Sequence, residues 1–221
     1  SLSDEQIMGA DTETIEGRVW LFSTELGVWE IGTLGDLLGV LYDPIHARTW
    51  KQGAGKKRRF NKGISTRQFF FWNLKFDCQA ILHLLKDEEI DQLIEGDEIS
   101  TWAHHPEDGN IEVKIRYIEG KHLRFKPVNW FRGDSQHKVG PCDWWDISQF
   151  YGKTRLKTAA KKAGLPPKIE ICKIDGSILD ASRFDDPYYR DFYMEDILEY
   201  AVHDAVLAGD LARLKRDDFV N

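Results

Sequence analysis

Four carboxylates stand at positions where folding alone would favour apolar residues: Asp11 and Glu13 in IMGADTET, Asp77 in FFFWNLKFDCQAIL, and Asp204 in EYAVHDAVLAGDLARL. A carboxylate aimed into a core is costly unless it is paired or holds a metal. Several such groups together make an all-oxygen site, which suits hard cations such as Mg²⁺ or Mn²⁺ far better than Zn²⁺. The chemistry this points to is phosphodiester hydrolysis, which needs an activated water and a stabilised leaving oxygen; a pair of divalent ions can supply both.

Each position also has a plainer reading. In a strand, Ile7, Gly9, Asp11 and Glu13 share one face, so the two acids lie side by side. Alone, that triplet reads more simply as a solvated turn at a strand end. Asp77 falls on the apolar side of a helix whose stripe is Ala80, Ile81, Leu84 and Leu85. It could equally be a first-turn acid that favours the helix dipole. Asp204 sits in the middle of a stripe made by Ile197, Tyr200, Ala201, Leu207, Ala208 and Leu211, with Tyr200 one turn earlier on the same face. Its plain reading is an ion-paired core aspartate beside a core tyrosine. His203 points about 100° away around the helix and is incidental.

The elements that must position these groups follow from periodicity and turn chemistry. Gln6–Thr12 and the segments GRVWLFST and GVWEIG read as an antiparallel meander, with turns at Gly17 and Gly27. LGDLLGVL reads as a short helix, QFFFWN as a buried strand, and Leu74–Leu85 as a helix; a second short helix follows in DEEIDQLIEGD. Alternating segments around a Glu119–Gly120 turn predict an inserted β-ribbon over about residues 98–128. CDWWDISQF adds a strand, TRLKTAAKKAGL a helix stopped by Gly164 and two prolines, and Tyr188–Arg216 a long last helix with acids early and bases late. Trp130, Phe131, Trp144 and Trp145 read as core. No repeat or interdomain linker stands out, so one domain over residues 1–221 is the simplest account.

The formal net charge is −7, an unexpected sign for a chain that meets nucleic acid. Bound cations and local fields matter more than the total. From Lys51 to Arg67 there are seven Lys or Arg and no acid, within a polar loop over about residues 43–67. Lys56, Lys57, Arg58 and Arg59 could track a phosphate backbone, or simply keep a solvated loop soluble. Three cysteines at no zinc spacing predict reduced thiols. No apolar run is long enough to cross a bilayer, and SLSDEQ lacks the features of a signal peptide. The expectation is an intracellular protein with no membrane partner, cytoplasmic in a prokaryote or a prokaryotic virus.

Together the segments DTET, NLKFD and YAVHD resemble, in order and separation, the three motifs (DxE, NxxxD and YxxxD) of DEDDy 3′–5′ exonucleases. The closest likeness is to proofreading domains of family B DNA polymerases of the protein-primed viral or plasmid kind. The histidine variant of this superfamily would need its histidine at Glu199. The resemblance spans about Ile7 to Leu214 and implies an α/β, ribonuclease-H-like (DnaQ-like) fold: a mixed five-stranded sheet flanked by helices, with Asp11 and Glu13 on the central first strand. It implies two divalent cations, with Asp11 shared, Glu13 and Asp204 at one ion and Asp77 at the other. Tyr200 would orient the attacking water. Thr14, Asn73 and Phe76 would meet the terminal nucleotides, although Asn73 could instead cap the following helix and Phe76 could be core. A substrate lysine would be Lys168 or Lys173, with Lys168 preferred; the family's Ser/Thr-Leu motif has no clear counterpart in ISQFYGKTRLK. The implied activity is removal of nucleoside 5′-monophosphates from single-stranded DNA 3′ ends, free-standing or beside a polymerase domain or other replication proteins. An exoribonuclease uses the same carboxylate set. A catalytically silent domain that binds single strands or a replication partner is the alternative of another class.

Overall fold

The first hairpin shows how tightly the sequence dictates its own turns. Strands β1 (Ile7–Ile15) and β2 (Arg18–Thr24) are joined by Glu16 and Gly17, both at positive φ, 51° and 76°. That geometry matches the right-handed twist of the strands it connects. Near this turn Glu13 pairs with Leu21 and Thr14 with Val19, so Trp20 bulges out of register. Strand β3 (Gly27–Glu30) completes the meander.

The architecture comes from a computed structural model, which describes residues 2, 4–42, 68–132, 135–136, 139–152 and 154–220. Helix α1 (Leu34–Leu41) starts at a capping box between Thr33 and Asp36. Strand β4 (Gln68–Phe71) leads into helices α2 (Leu74–Leu82) and α3 (Asp87–Ile94). Strands β5 (Ile99–His105), β6 (Gly109–Ile118) and β7 (His122–Asn129) follow, then a short pair, β8 (Phe131–Arg132) and β9 (Ser135–Gln136). Strand β10 (Cys142–Asp146), helix α4 (Leu156–Lys162) and helix α5 (Pro187–Leu214) complete the chain's main elements. Helix α5 is interrupted at Tyr193, whose φ and ψ of −104° and 17° are not helical. No helix among the described residues is long and apolar enough to cross a membrane.

The protein is α/β, with one mixed sheet of eight strands in the order β3-β2-β1-β4-β10-β7-β6-β5. Strands β1, β4 and β10 are parallel, and the rest join antiparallel. Five strands and a separate ribbon were expected; instead β5–β7 extend the sheet from β10. The reason lies in their burial. Ile111, Val113, Ile115, Leu123 and Phe125 are almost wholly buried, and a free-standing ribbon would leave that face in water.

Helices cover both faces. Met8, Ala10, Phe69 and Phe71 point into a core shared with α1 and α2, while Ile7 and Phe70 point into one shared with α4 and α5. Trp144 anchors the first core, with ring centroids 4.6 Å from Phe71, 5.2 Å from Phe125 and 5.4 Å from Phe22. Trp130 is also core, but Phe131 is 45% exposed, because it lies past the end of β7 with no layer over it. Trp145 is half-buried and packs on His122 at 4.2 Å.

Helix α5 meets β1 backbone to backbone at Gly9, with the Glu25 carboxylate against Gly209. A Cβ on Gly9 would stand 1.8 Å from the carbonyl oxygen of Ala205, and one on Gly209 would stand 3.0 Å from the nitrogen of Gly9. The crossing is fastened by Glu25, which accepts the Gly9 N–H at 2.7 Å and both of its oxygens' contacts from Arg213 at 2.7 Å. Gly9→Ala should therefore cost about 2 kcal/mol or more, because the obstruction is backbone that cannot rotate away. Urea unfolding measures it; an unchanged midpoint would mean that α5 does not seat this closely.

Candidate metal centre

The site forms where β1 and β4 part. Their parallel pairing runs only from Ile7↔Gln68 to Gly9↔Phe70, after which β1 continues to Ile15 with β2 as its sole strand partner. A crevice at the carboxyl ends of parallel strands is where open α/β sheets usually take ligands. Past the parting, the free edge of β1 needs hydrogen-bond acceptors. Asp77, in the first turn of α2, provides one: its Oδ1 accepts the Thr12 N–H at 3.1 Å and the Thr12 hydroxyl at 2.7 Å. Asp77 is only 1% exposed, so the apolar stripe of α2 does carry it inward.

Asp204 arrives from the other side of the sheet. It is buried on α5 one turn before the Gly209 crossing, and Ser23 ties this helix to β2 by donating to the carbonyl oxygen of Ala201 at 3.0 Å. Lys168, from the segment before α5, donates to Asp204 Oδ2 at 2.6 Å and to the Tyr200 hydroxyl at 2.9 Å. Of the two candidate lysines, then, Lys168 is the one in the site; Lys173 instead pairs with Glu199 on the exposed side of α5. His203 turns away and meets the carbonyl oxygen of Pro167 at 3.0 Å.

Burial dominates the local electrostatics, and crowding of the acids adds to it. Burial, then the charges of Glu13, Asp77 and Asp204, lift the Asp11 carboxyl well above the ordinary range, against the opposing pull of Lys168. Burial and Asp204 raise Glu13 to about 8, with Lys168 again opposing. Burial raises Asp77 to about 8 although its bonds from Thr12 resist the shift. Asp204 is raised by burial against the pull of Lys168, and Tyr200 is raised by burial and by the charges of Asp204, Glu13 and Asp11. Burial is thus the leading cause at all four acids; neighbouring acids add to it at Asp11, Glu13 and Asp77, and Lys168 opposes it at Asp11, Glu13 and Asp204.

Two oxygens in this field have no hydrogen-bond partner among the described residues: Glu13 Oε1 and Asp204 Oδ1, both buried. Orphaned buried acceptors of this kind fit a site built for hard cations. In the present arrangement no three His, Cys, Asp or Glu side chains among the described residues are already spaced around one ion position. Part of their ligating capacity is taken by Lys168 at Asp204 and by Thr12 at Asp77.

Around the carboxylates, Asn73 holds left-handed backbone, φ 65° and ψ 56°, at the start of α2. Its side chain makes no capping bond, so the simple capping role fails, and it lines a cleft instead. Phe76 is 49% exposed, which overturns its reading as core. Thr14 lies half-buried beside the Trp20 bulge. Lys56, Lys57, Arg58 and Arg59 lie outside the described residues.

Asp146, a further acid that the sequence reading passed over, ends β10 and contributes to the field on Asp77. It is buried, and accepts from the Ser148 N–H at 2.8 Å and hydroxyl at 2.6 Å. The signal was available in CDWWDIS: an acid closing an apolar strand.

The raised carboxyls predict an unusual pH response. Folded Glu13 and Asp77 hold protons up to about 8, whereas in the unfolded chain they release them near their ordinary values of 4.5 and 3.8. Their contribution to stability is fully present below those ordinary values and is lost as pH rises through the folded ones. Thermal melts in EDTA should therefore fall between pH 5 and pH 8, with Asp77→Asn flattening the trend and added Mn²⁺ raising the pH 8 midpoint. A metal-free midpoint that climbs across that window would refute the assignment.

Compared with protein-family models, with curated proteins and with solved structures, this chain matches none, so the functional reading rests on the residues themselves.

Proposed function

We propose that this protein is a metal-dependent 3′–5′ exonuclease of the DEDDy type, acting on single-stranded DNA ends. The observation that carries the reading is the convergence of Asp11, Glu13, Asp77 and Asp204, from three distant segments, into one buried field with two orphaned oxygens. A structural role would not require this, because each acid raises the cost of the others. Strands β3-β2-β1-β4-β10, with β1 in the middle and β2 antiparallel, support a ribonuclease-H-like core.

Asp11, Glu13, Asp77 and Asp204 would hold Mg²⁺ or Mn²⁺, ions that supply the charge stabilisation a phosphodiester needs on its attacked phosphate and its departing 3′ oxygen. The protein's own groups then have separable tasks. Tyr200 keeps its proton, since burial and the adjacent acids push its ionisation upward, so it can donate a hydrogen bond to a water but cannot take that water's proton as a free base. Lys168 bridges Tyr200 and Asp204 and fixes the hydroxyl's position. Asn73 presents an uncommitted amide from a strained backbone, a conformation often found at functional sites, and exposed Phe76 offers a stacking face for a terminal base. Thr14, beside Glu13 at the strand end, is the remaining candidate contact.

A 5′-labelled single-stranded DNA oligonucleotide with Mn²⁺ tests the activity. A ladder shortening from the 3′ end is expected, absent with EDTA and reduced at least about a thousandfold by Asp11→Ala, on the scale of losing a group that acts directly in the chemistry. The variant's circular dichroism should match wild type. A matched RNA strand degraded faster than DNA would move the assignment to an exoribonuclease. Wild-type turnover by Asp11→Ala would sink the metal site altogether.

A further inference from the structure

The inserted strands have a place in the site as well as in the sheet. Because β7 runs antiparallel to β10, with His122 opposite Trp145, the β6–β7 turn falls at the carboxyl end of β10, where Asp146 lies. That turn is held from two sides. The Gln149 side-chain amide donates to the Gly120 carbonyl oxygen at 2.6 Å, the Asp146 N–H donates to the Lys121 carbonyl oxygen at 3.3 Å, and Glu119 pairs with Lys75 of α2 at 2.6 Å. The turn thereby closes one wall of a cleft of about 900 Å³, whose other walls are the start of α2 and the segment leading into α4.

The lining of this cleft is cationic in a chain of net charge −7: Lys75, Lys121, Arg155, Lys157 and Lys168 all face it. Lys75 and Lys157 are answered by Glu119 and Glu170, through exposed pairs that cost little to exchange for a phosphate. Lys121 and Arg155 make no ion pair among the described residues and are exposed. Trp72 adds a half-buried aromatic face on the cleft wall. Through Asn73 and Lys168 the cleft opens toward the carboxylates. Glu119, Asp146 and Glu170 also line the cleft, so its excess of cations is modest, but a local positive excess still draws a polyanion, and interleaved aromatic and basic groups are how single strands are gripped without regard to sequence.

We propose that this cleft, walled by the inserted ribbon's turn, is the track for the single strand leading into the site, with Lys121 and Arg155 as its principal phosphate contacts. The proposal rests on the exonuclease reading for its direction, but its test does not need turnover.

Fluorescence anisotropy in EDTA with labelled dT12 and dT3 measures binding across a salt titration. The Lys121→Ala/Arg155→Ala variant should bind dT12 roughly tenfold more weakly at low salt, with a salt slope smaller by about 1.4, two phosphate contacts' worth for a single strand. Its binding of dT3 should weaken in the same direction, since the two residues line the same cleft as Asn73 and Lys168. A charge-matched control, Lys126→Ala/Lys161→Ala, removes two exposed cations that do not line the cleft and should leave both affinities in place. Equal losses in the two variants, or a wild-type slope in the first, would overturn the track. A protein that bound dT12 through this cleft yet cut nothing would keep the track and lose the exonuclease.

Discussion

Two glycines meet where α5 crosses β1, and the whole arrangement follows from the close approach that their lack of a Cβ permits. Close approach places Asp204 beside the strand that carries Asp11 and Glu13, instead of a side chain's width away. The contact would be weak if it depended on glycine alone. Glu25 supplies the rest, taking the Gly9 N–H where the pairing of β1 with β4 ends and receiving Arg213 from the last turn of α5. Arg213 also reaches the Ile7 carbonyl oxygen at 3.2 Å, so one guanidinium joins strand, turn and helix. Both partners are half-buried, and Arg213 is answered by Asp210 as well, at 3.0 Å.

The molecule buries carboxylates in two distinct manners, and the contrast is informative. Asp143 accepts from His122 at 2.6 Å and from two nitrogens of Arg124, and these bonds outweigh its burial and hold its carboxyl below the ordinary range. It is a satisfied structural acid. The acids of the candidate centre are treated oppositely: burial outweighs their bonds, neighbouring acids push Asp11 and Glu13 further up, and a single ammonium, Lys168, answers several of them. A chain able to neutralise Asp143 so fully, two strands away, has not failed to do so at the centre for want of means. The unanswered charge is the property that a cation would respond to.

Much of this was legible in the sequence because its determinants are local. Strand alternation put Asp11 and Glu13 together, and helical spacing put Asp77 and Asp204 on inward faces. The turns at Gly17 and Gly120 were legible too, though β1 runs on to Ile15 past the expected Thr12, the β8–β9 pair had no signal, and α2 stops at Leu82, short of the Leu85 that periodicity suggested. What stayed hidden depends on partners far along the chain. No local pattern tells β7 that its neighbour is β10, so a continuous sheet looked like a core with an appendage. Lys168 and Lys173 differ only in where an irregular segment sets them down. Thr12, hidden between two more conspicuous acids, gained its role only when α2 folded against the free edge of β1. Phe131 looked like core by residue type, and only the layer structure could show that nothing covers it.

The last helix also sets the order in which the molecule can assemble. Its crossing joins residue 209 to residue 9, nearly the full span of the chain, and loop-closure entropy delays contacts so distant in sequence. The meander, the β5–β7 strands and the pairing of β4 with β10 close much shorter loops and can form beforehand. Until α5 docks, Asp204 remains in water and Asp11 and Glu13 are spared its charge. The cost of crowding these acids therefore falls in the docking step itself, as ionic repulsion or as the protons that Glu13 and Asp77 hold up to about pH 8, and it opposes the final closure of the chain. A divalent cation arriving at that moment would act as a folding partner, hastening the step that the acids resist.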